Sequence, residues 1–187
     1  YVLIESTLII GFNSHGNRRN MSHIYNLYDL SYNTEKLYNE SLSLNYDKPI
    51  DYDKDPLNGS WLKTRITEDQ IHANELKMFF EDLLGVKVSP LYYKQIAGER
   101  VVKHIDTLCS CSINIVLNGN RSPVLFHDDG NTFAYVYRCA LLNVGGYYHE
   151  VPVRETERSI LRFAVSVNTN YEETMNKLVE GIMNVSS

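Results

Sequence analysis

Between residues 86 and 167 the chain is cut into seven short apolar or alternating runs, at 86–96, 100–106, 111–117, 124–126, 132–137, 140–144 and 159–167. The breaks include Asn118-Gly119, Asp129-Gly130 and Gly145-Gly146, dipeptides that accept the positive φ angles of tight turns. Strands this short at this spacing cannot each build a core. They must share one by folding into a sandwich or a barrel. The flanks follow helical spacing instead. Thr67 with Gln70 reads as a capping box and Gly85 as a helix stop, and between them Ile71, Leu76, Phe79, Phe80 and Leu83 form one apolar stripe. A second amphipathic helix runs from Asn170 and Glu173 through Leu178, Ile182 and Met183. The expected class is mainly β with flanking α-helices.

A length of 187 residues suits one domain. Its expected parts are an N-terminal strand, loops and support helix (1–85), a barrel core (86–167) and a C-terminal helix (168–187). Residues 1–12 read as a strand and 13–20 as a polar turn. Within the Tyr/Asn/Asp-rich stretch 21–60 we expect a short helix at 34–42 and a loop at 47–59 that is either a lid or plain surface. Tyr25, Tyr28, Tyr32 and Tyr38 are read as packing onto the barrel. The net charge of −5 disfavours nucleic acid and anionic lipid as partners. No apolar run reaches the length of a membrane span, and the apolar start carries Glu5 without a basic flank. A cytoplasmic protein is the expectation. Three cysteines, Cys109, Cys111 and Cys139, argue for a reducing compartment, and Cys109-x-Cys111 reads as a pair of small core residues. The sequons at Asn20, Asn39, Asn58 and Asn184 are assigned no function.

Chemistry concentrates at His104-Ile105-Asp106, an imidazole and a carboxylate two positions apart and hence on one face of a strand. A third candidate, His149, follows Gly145-Gly146. Two histidines and one carboxylate suit a facial triad, which leaves octahedral positions open on Fe(II). Arg158, nine residues after His149, offers a planar fork for a carboxylate. His127-Asp128-Asp129 is the rival cluster, but its Asp-Gly context reads as an exposed turn. His15 and His23 fall in polar loops and His72 on a helix, and all three read as surface residues. Glu150 reads as a solvated neighbour of His149 rather than a ligand.

These words of sequence resemble the 2-oxoglutarate/Fe(II) oxygenases, in particular the prolyl-hydroxylase-like branch. Tyr92-Tyr93-Lys94-Gln95-Ile96-Ala97-Gly98, leading into His104-Ile105-Asp106, is similar to that family's aromatic strand, glycine turn and His-x-Asp block. His149-Glu150-Val151 with Arg158 is similar to its distal block, and the run Ser112 to Asn118 to the long strand between them. The likeness spans 91–167 and implies a double-stranded β-helix, a jelly-roll, cupin-like barrel. It further implies Fe(II) on His104, Asp106 and His149, with O2 and 2-oxoglutarate as cosubstrates. Arg158 would grip the distal carboxylate of 2-oxoglutarate and Tyr93 would add a hydroxyl. Many members carry Ser or Thr two residues beyond this arginine, where this chain has Ile160; Arg162, on the same strand face, is therefore a rival for the role. The implied activity is that of a dioxygenase: decarboxylation of 2-oxoglutarate to succinate coupled to hydroxylation of a peptidyl or small-molecule substrate. Two other classes fit the same three ligands, a non-catalytic cupin-like binding module and a zinc hydrolase, but neither has a use for Arg158.

Overall fold

Local signals and long-range pairing combine into two antiparallel sheets in the computed structural model, which describes residues 23–46, 61–118 and 122–185. The strand expected at 1–12, the turn at 13–20, the loop at 47–59, His15 and Gly119 lie outside the described residues. In chain order the elements are β1 (Ile24–Asn26), α1 (Thr34–Leu42), β2 (Trp61–Arg65), α2 (Ile71–Leu84), β3 (Val88–Gln95), β4 (Val101–His104), β5 (Cys109–Val116), β6 (Val124–Asp128), β7 (Asn131–Tyr135), β8 (Cys139–Leu142), β9 (Tyr148–Val151), β10 (Arg158–Ser166) and α3 (Tyr171–Val185). One sheet has the order β1-β8-β5-β10-β3-β2 and the other β4-β9-β6-β7. From β4 onward the chain passes back and forth between the sheets, which is the winding of a double-stranded β-helix.

Strand alternation decides what each face meets. On β10, Leu161, Phe163 and Val165 point outward and pack with Phe80 and Leu84 of α2 and Leu178 and Ile182 of α3. Ile160 and Ala164 point inward and join Val116, Phe126, Leu142 and Val151 in a second core between the sheets. Arg158 and Arg162 share that inward parity. Two turns follow their chemistry. Asp129 (φ 45°) and Gly130 (φ 80°) both take positive φ between the paired residues Asp128 and Asn131, as a two-residue hairpin requires. Gly85 ends α2 in the left-handed region at φ 69°.

Several expectations need correction. The helix expected from Thr67 starts at Ile71, because Thr67 and Gln70 close a separate turn in which the Gln70 side chain accepts from the Thr67 N–H (2.7 Å). The α2 N-terminus is capped from outside instead. The Glu40 carboxylate of α1 accepts from the N–H groups of His72 (2.7 Å) and Ala73 (3.2 Å) and from the Tyr92 hydroxyl (3.0 Å), a negative charge where the helix dipole favours one. Ile71 is consequently exposed, and Ala73 and Leu84 take part in the buried stripe. β1, β2 and β9 are strands beyond the seven runs. Tyr25, Tyr32 and Tyr38 do pack against the helix-side core, whereas Tyr28 stands in solvent. His23 is buried rather than on the surface. Its ring lies among Phe126, Phe133, Tyr135 and Tyr147, with Nδ1 bonded to the Tyr135 hydroxyl at 2.9 Å and Nε2 3.6 Å from Asp128. His127 and Asp128 are likewise half-buried in β6, not part of an exposed turn, and His127 meets Glu150 at 3.2 Å.

Candidate active site

The inner ends of β4 and β9 bring His104 and His149 together as directly opposed cross-strand residues, with ring centroids 4.3 Å apart. Asp106 lies just past β4, where its N–H donates to the Val144 carbonyl (3.0 Å). The close approach of this corner depends on Gly145. A Cβ there would run into the carbonyl oxygen of Cys109 and sit 2.8 Å from that of Ser110. Among the described residues His104, Asp106 and His149 form a group whose potential ligand atoms lie within 4.8 Å of one another.

Both imidazoles are oriented in the same way. His104 Nδ1 lies 2.8 Å from the Val102 carbonyl and His149 Nδ1 3.2 Å from that of Tyr147. A carbonyl only accepts, so each Nδ1 carries a proton; His149 Nε2 keeps its lone pair for a ligand, and His104 Nε2 offers one once it gives up the proton it shares with Asp106. His104 Nε2 stands 3.4 Å from Asp106 Oδ1, near the roughly 3 Å that separates adjacent ligands on one ion when bonds are about 2.1 Å long. The donor set, two neutral imidazoles and one carboxylate, therefore fits a divalent transition metal. The other carboxylate oxygen, Oδ2, is held by Arg162 Nη2, which also reaches Cys109 Sγ at 2.9 Å.

Electrostatics follow from this arrangement. Burial works to raise the Asp106 carboxyl, but His104 and Arg162 outweigh it and hold the group well below the usual carboxylate range. Burial, reinforced by the neighbouring His104, pushes His149 down to about 4. For His104 burial acts downward too, yet its bonds to Asp106 and the Val102 carbonyl leave it raised. Burial also lowers His23 despite nearby Asp128 and pushes the Cys109 thiol up to about 11.

A pH dependence is expected of the metal-free protein. A histidine lowered on folding contributes stability that is present above its unfolded value near 6.5 and lost as pH falls toward the folded value. His149 and His23 both act in this direction. His104, raised on folding, contributes its full share below pH 6.5 and adds no slope there, and Asp106 begins to matter only below about pH 4. Urea midpoints should thus fall between pH 6.5 and 4, with His149 alone accounting for on the order of 3 kcal/mol. Unchanged midpoints across that window would contradict the buried, neutral state of both rings.

Along the inner face of the six-stranded sheet the two arginines differ. The Arg162 fork is taken up by Asp106 and Cys109. Arg158 is 1% exposed, its guanidinium 5.2 Å from the Tyr137 ring centroid, and its Nε and Nη2 have no hydrogen-bond partner among the described residues. Asn114 Oδ1, Ser112 Oγ and Gln95 Oε1 on the same face are also buried and have no partner among the described residues. Unmet polar groups of this kind cost roughly 1–3 kcal/mol each, so each calls for a partner such as an ordered water or a bound polar ligand. Tyr93 lies beside Arg162, whose guanidinium is 5.8 Å from its ring centroid. An open cleft of about 740 Å3, lined by Asp106, Cys109, Asn143, Tyr147 and Asn170 among others, adjoins the triad. Two residues of this neighbourhood went unnoticed in the sequence. Cys109 reads there as core, and Arg154, 5% exposed in the β9–β10 connection, carries no local signal at all.

Two facing sheets wound in this way form a double-stranded β-helix, and solved prolyl hydroxylases have a similar fold. A prolyl-4-hydroxylase from Pseudomonas putida superposes with a TM-score of 0.56 at 12% identity, over 70% of this chain and 82% of that one. A prolyl hydroxylase from Trichoplax adhaerens, solved with a hypoxia inducible factor oxygen degradation domain peptide fragment, gives 0.56 at 13% identity over 75% and 78%. No protein-family model matches the chain, and no curated protein matches it. The fold is thus the one that the sequence resemblance implies. Among the described residues no helix is long and apolar enough to cross a membrane.

Proposed function

We propose that this chain is a non-haem Fe(II) dioxygenase that couples decarboxylation of 2-oxoglutarate to hydroxylation of a substrate. The observation that carries the reading is the triad of His104, Asp106 and His149 together with the buried, unpartnered fork of Arg158 on the inner face of the same fold. Arg158 lies four residues along β10 from Arg162, which touches the triad. At strand rise that is about 13 Å between Cα atoms, which leaves room for a small diacid between Arg158 and an ion on the triad. A binding module or a zinc hydrolase would have no need of that second cation.

In this reading His104 and His149 present Nε2 and Asp106 presents Oδ1 to the iron. Iron held there would supply open positions for the oxo acid and for O2, whose four electrons come in pairs from the decarboxylated 2-oxoglutarate and from the substrate C–H bond. The chain's own residues do the rest. The Val102 and Tyr147 carbonyls fix the imidazole tautomers, and Arg162 keeps the Asp106 carboxylate ionised and aimed. Arg158 binds the distal carboxylate, while Phe126, Val151 and Ile160 exclude water around it. The cleft beside Asp106 is the approach for the substrate, and we favour a peptidyl one, in keeping with the peptide-bound Trichoplax adhaerens neighbour.

The test is anaerobic visible absorption of the purified protein with Fe(II) and then 2-oxoglutarate. A metal-to-ligand charge-transfer band that needs both additions is expected. Arg158→Gln should raise the 2-oxoglutarate needed for half of the band by about 10- to 100-fold, the worth of a charge-assisted fork. A folded, iron-loaded wild type without the band would sink the oxygenase reading.

A further inference from the structure

The β9–β10 connection holds a second buried cation that the proposed chemistry does not use. Arg154 is 5% exposed, and its Nε and Nη1 are buried without a hydrogen-bond partner among the described residues. Its backbone is pinned: the Arg154 carbonyl accepts from the Gly98 N–H (2.7 Å), and the preceding Pro152 carbonyl accepts from Gln95 Nε2 (3.1 Å). Gln95 is the cross-strand partner of Arg158, so the anchors of the connection set Arg154 at the Arg158 end of the inner face. Burial and the Arg158 charge together lower the Arg154 guanidinium to about 10, as expected of two cations sharing one interior. Arg158 lies over the Tyr137 ring, and Asn114 donates to the Tyr137 hydroxyl (3.3 Å) while its own Oδ1 stays unmet. Among the described residues no carboxylate pairs with either arginine. Two guanidinium groups that feel each other's charge, with no counter-ion among the described residues, are costly in an interior, and an arginine does not escape by deprotonating. An incoming anion would remove that cost.

From this we infer that Arg154 is a second guanidinium of the cosubstrate pocket, closing with Arg158 on the distal carboxylate and selecting a 2-oxo diacid over a 2-oxo monoacid. The inference rests on the oxygenase reading for the identity of the diacid. It makes Arg154 a specificity-determining residue whose cost in stability is relieved by the ligand. A purely structural arginine would behave in the opposite way, since its loss would weaken the fold and leave the choice of acid alone.

The test is equilibrium binding to Mn(II)-loaded protein, read by fluorescence of Trp61, the single tryptophan, whose ring lies 5.7 Å from that of Tyr93. Wild type, Arg154→Gln and Arg154→Lys are titrated with 2-oxoglutarate and with 2-oxobutanoate, which lacks the distal carboxylate. Thermal midpoints of the metal-free proteins are recorded alongside. Arg154→Gln should weaken 2-oxoglutarate by about 10- to 100-fold, leave 2-oxobutanoate within about threefold, and keep or raise the metal-free midpoint. Arg154→Lys, retaining the charge without the fork, should fall between Arg154→Gln and wild type. Unchanged 2-oxoglutarate affinity, equal weakening of both acids, or a lowered midpoint in Arg154→Gln would overturn the inference, as would wild-type affinity in Arg154→Lys. Glutarate titrated into metal-free protein separates the two readings. If wild type binds neither oxo acid but binds glutarate in an Arg154-dependent way, the two-arginine site stands and the oxygenase reading falls. If glutarate does not bind either, both fall.

Discussion

Replacing His104 by alanine should abolish specific metal binding while leaving the fold in place. In the proposed centre His104 is one of three converging ligands, and its directly opposed partner His149 would not hold an ion with Asp106 alone at comparable affinity. The loss should be about 100-fold or more in the dissociation constant for Fe(II) or Mn(II), larger than the usual effect of disturbing an outer-shell partner. Stability should report the same change. At a metal concentration of about 100 times the wild-type dissociation constant, the ion stabilises the native state by about 2.7 kcal/mol, and His104→Ala should lose most of that increment. The metal-free variant should unfold close to wild type, because Asp106 retains Arg162. His127→Ala is the control, since His127 pairs with Glu150 away from the triad. Metal-induced stabilisation that survives in His104→Ala within a factor of two would refute the assignment of the centre.

Replacing Arg162 by methionine should act first on stability. The Arg162–Asp106 pair is largely removed from water, with side-chain exposures of 18% and 17%. Deleting the cation leaves Asp106 with His104 as its remaining basic neighbour and Cys109 as a weak donor. Breaking such a pair costs about 3 kcal/mol, so the metal-free variant should lose that much in urea unfolding. Added metal should recover most of the loss, because the ion replaces the guanidinium as counter-charge to the carboxylate. The same variant decides between the two inner-face arginines. If Arg162 were the anchor of the cosubstrate carboxylate, Arg162→Met would raise the 2-oxoglutarate requirement as much as Arg158→Gln does. The engagement of its fork by Asp106 predicts a much smaller rise.

Much of this was readable in advance where the controlling interaction is local. The helix at 34–42, the Gly85 stop and the Asp129-Gly130 hairpin depend on residues within one turn of each other, and all three are present as expected. Local signals misled where a distant group took over. The Thr67–Gln70 pairing forms, yet α2 starts only at Ile71, because the cap that matters is Glu40, 32 residues from His72. His23 looked like a loop residue, and its burial comes from Tyr135, 112 residues away, and from three other rings. The fold class and the grouping of His104 and Asp106 were thus set by the sequence itself, through the period of its strands and the chemistry of its turns. Which arginine is paired and which is left open was decided only by tertiary structure. Arg158 and Arg162 share a strand, a face and a side chain, and they differ only in what the crossing strands bring within reach: the Asp106 carboxylate for Arg162, and for Arg158 the Tyr137 ring with no counter-ion among the described residues.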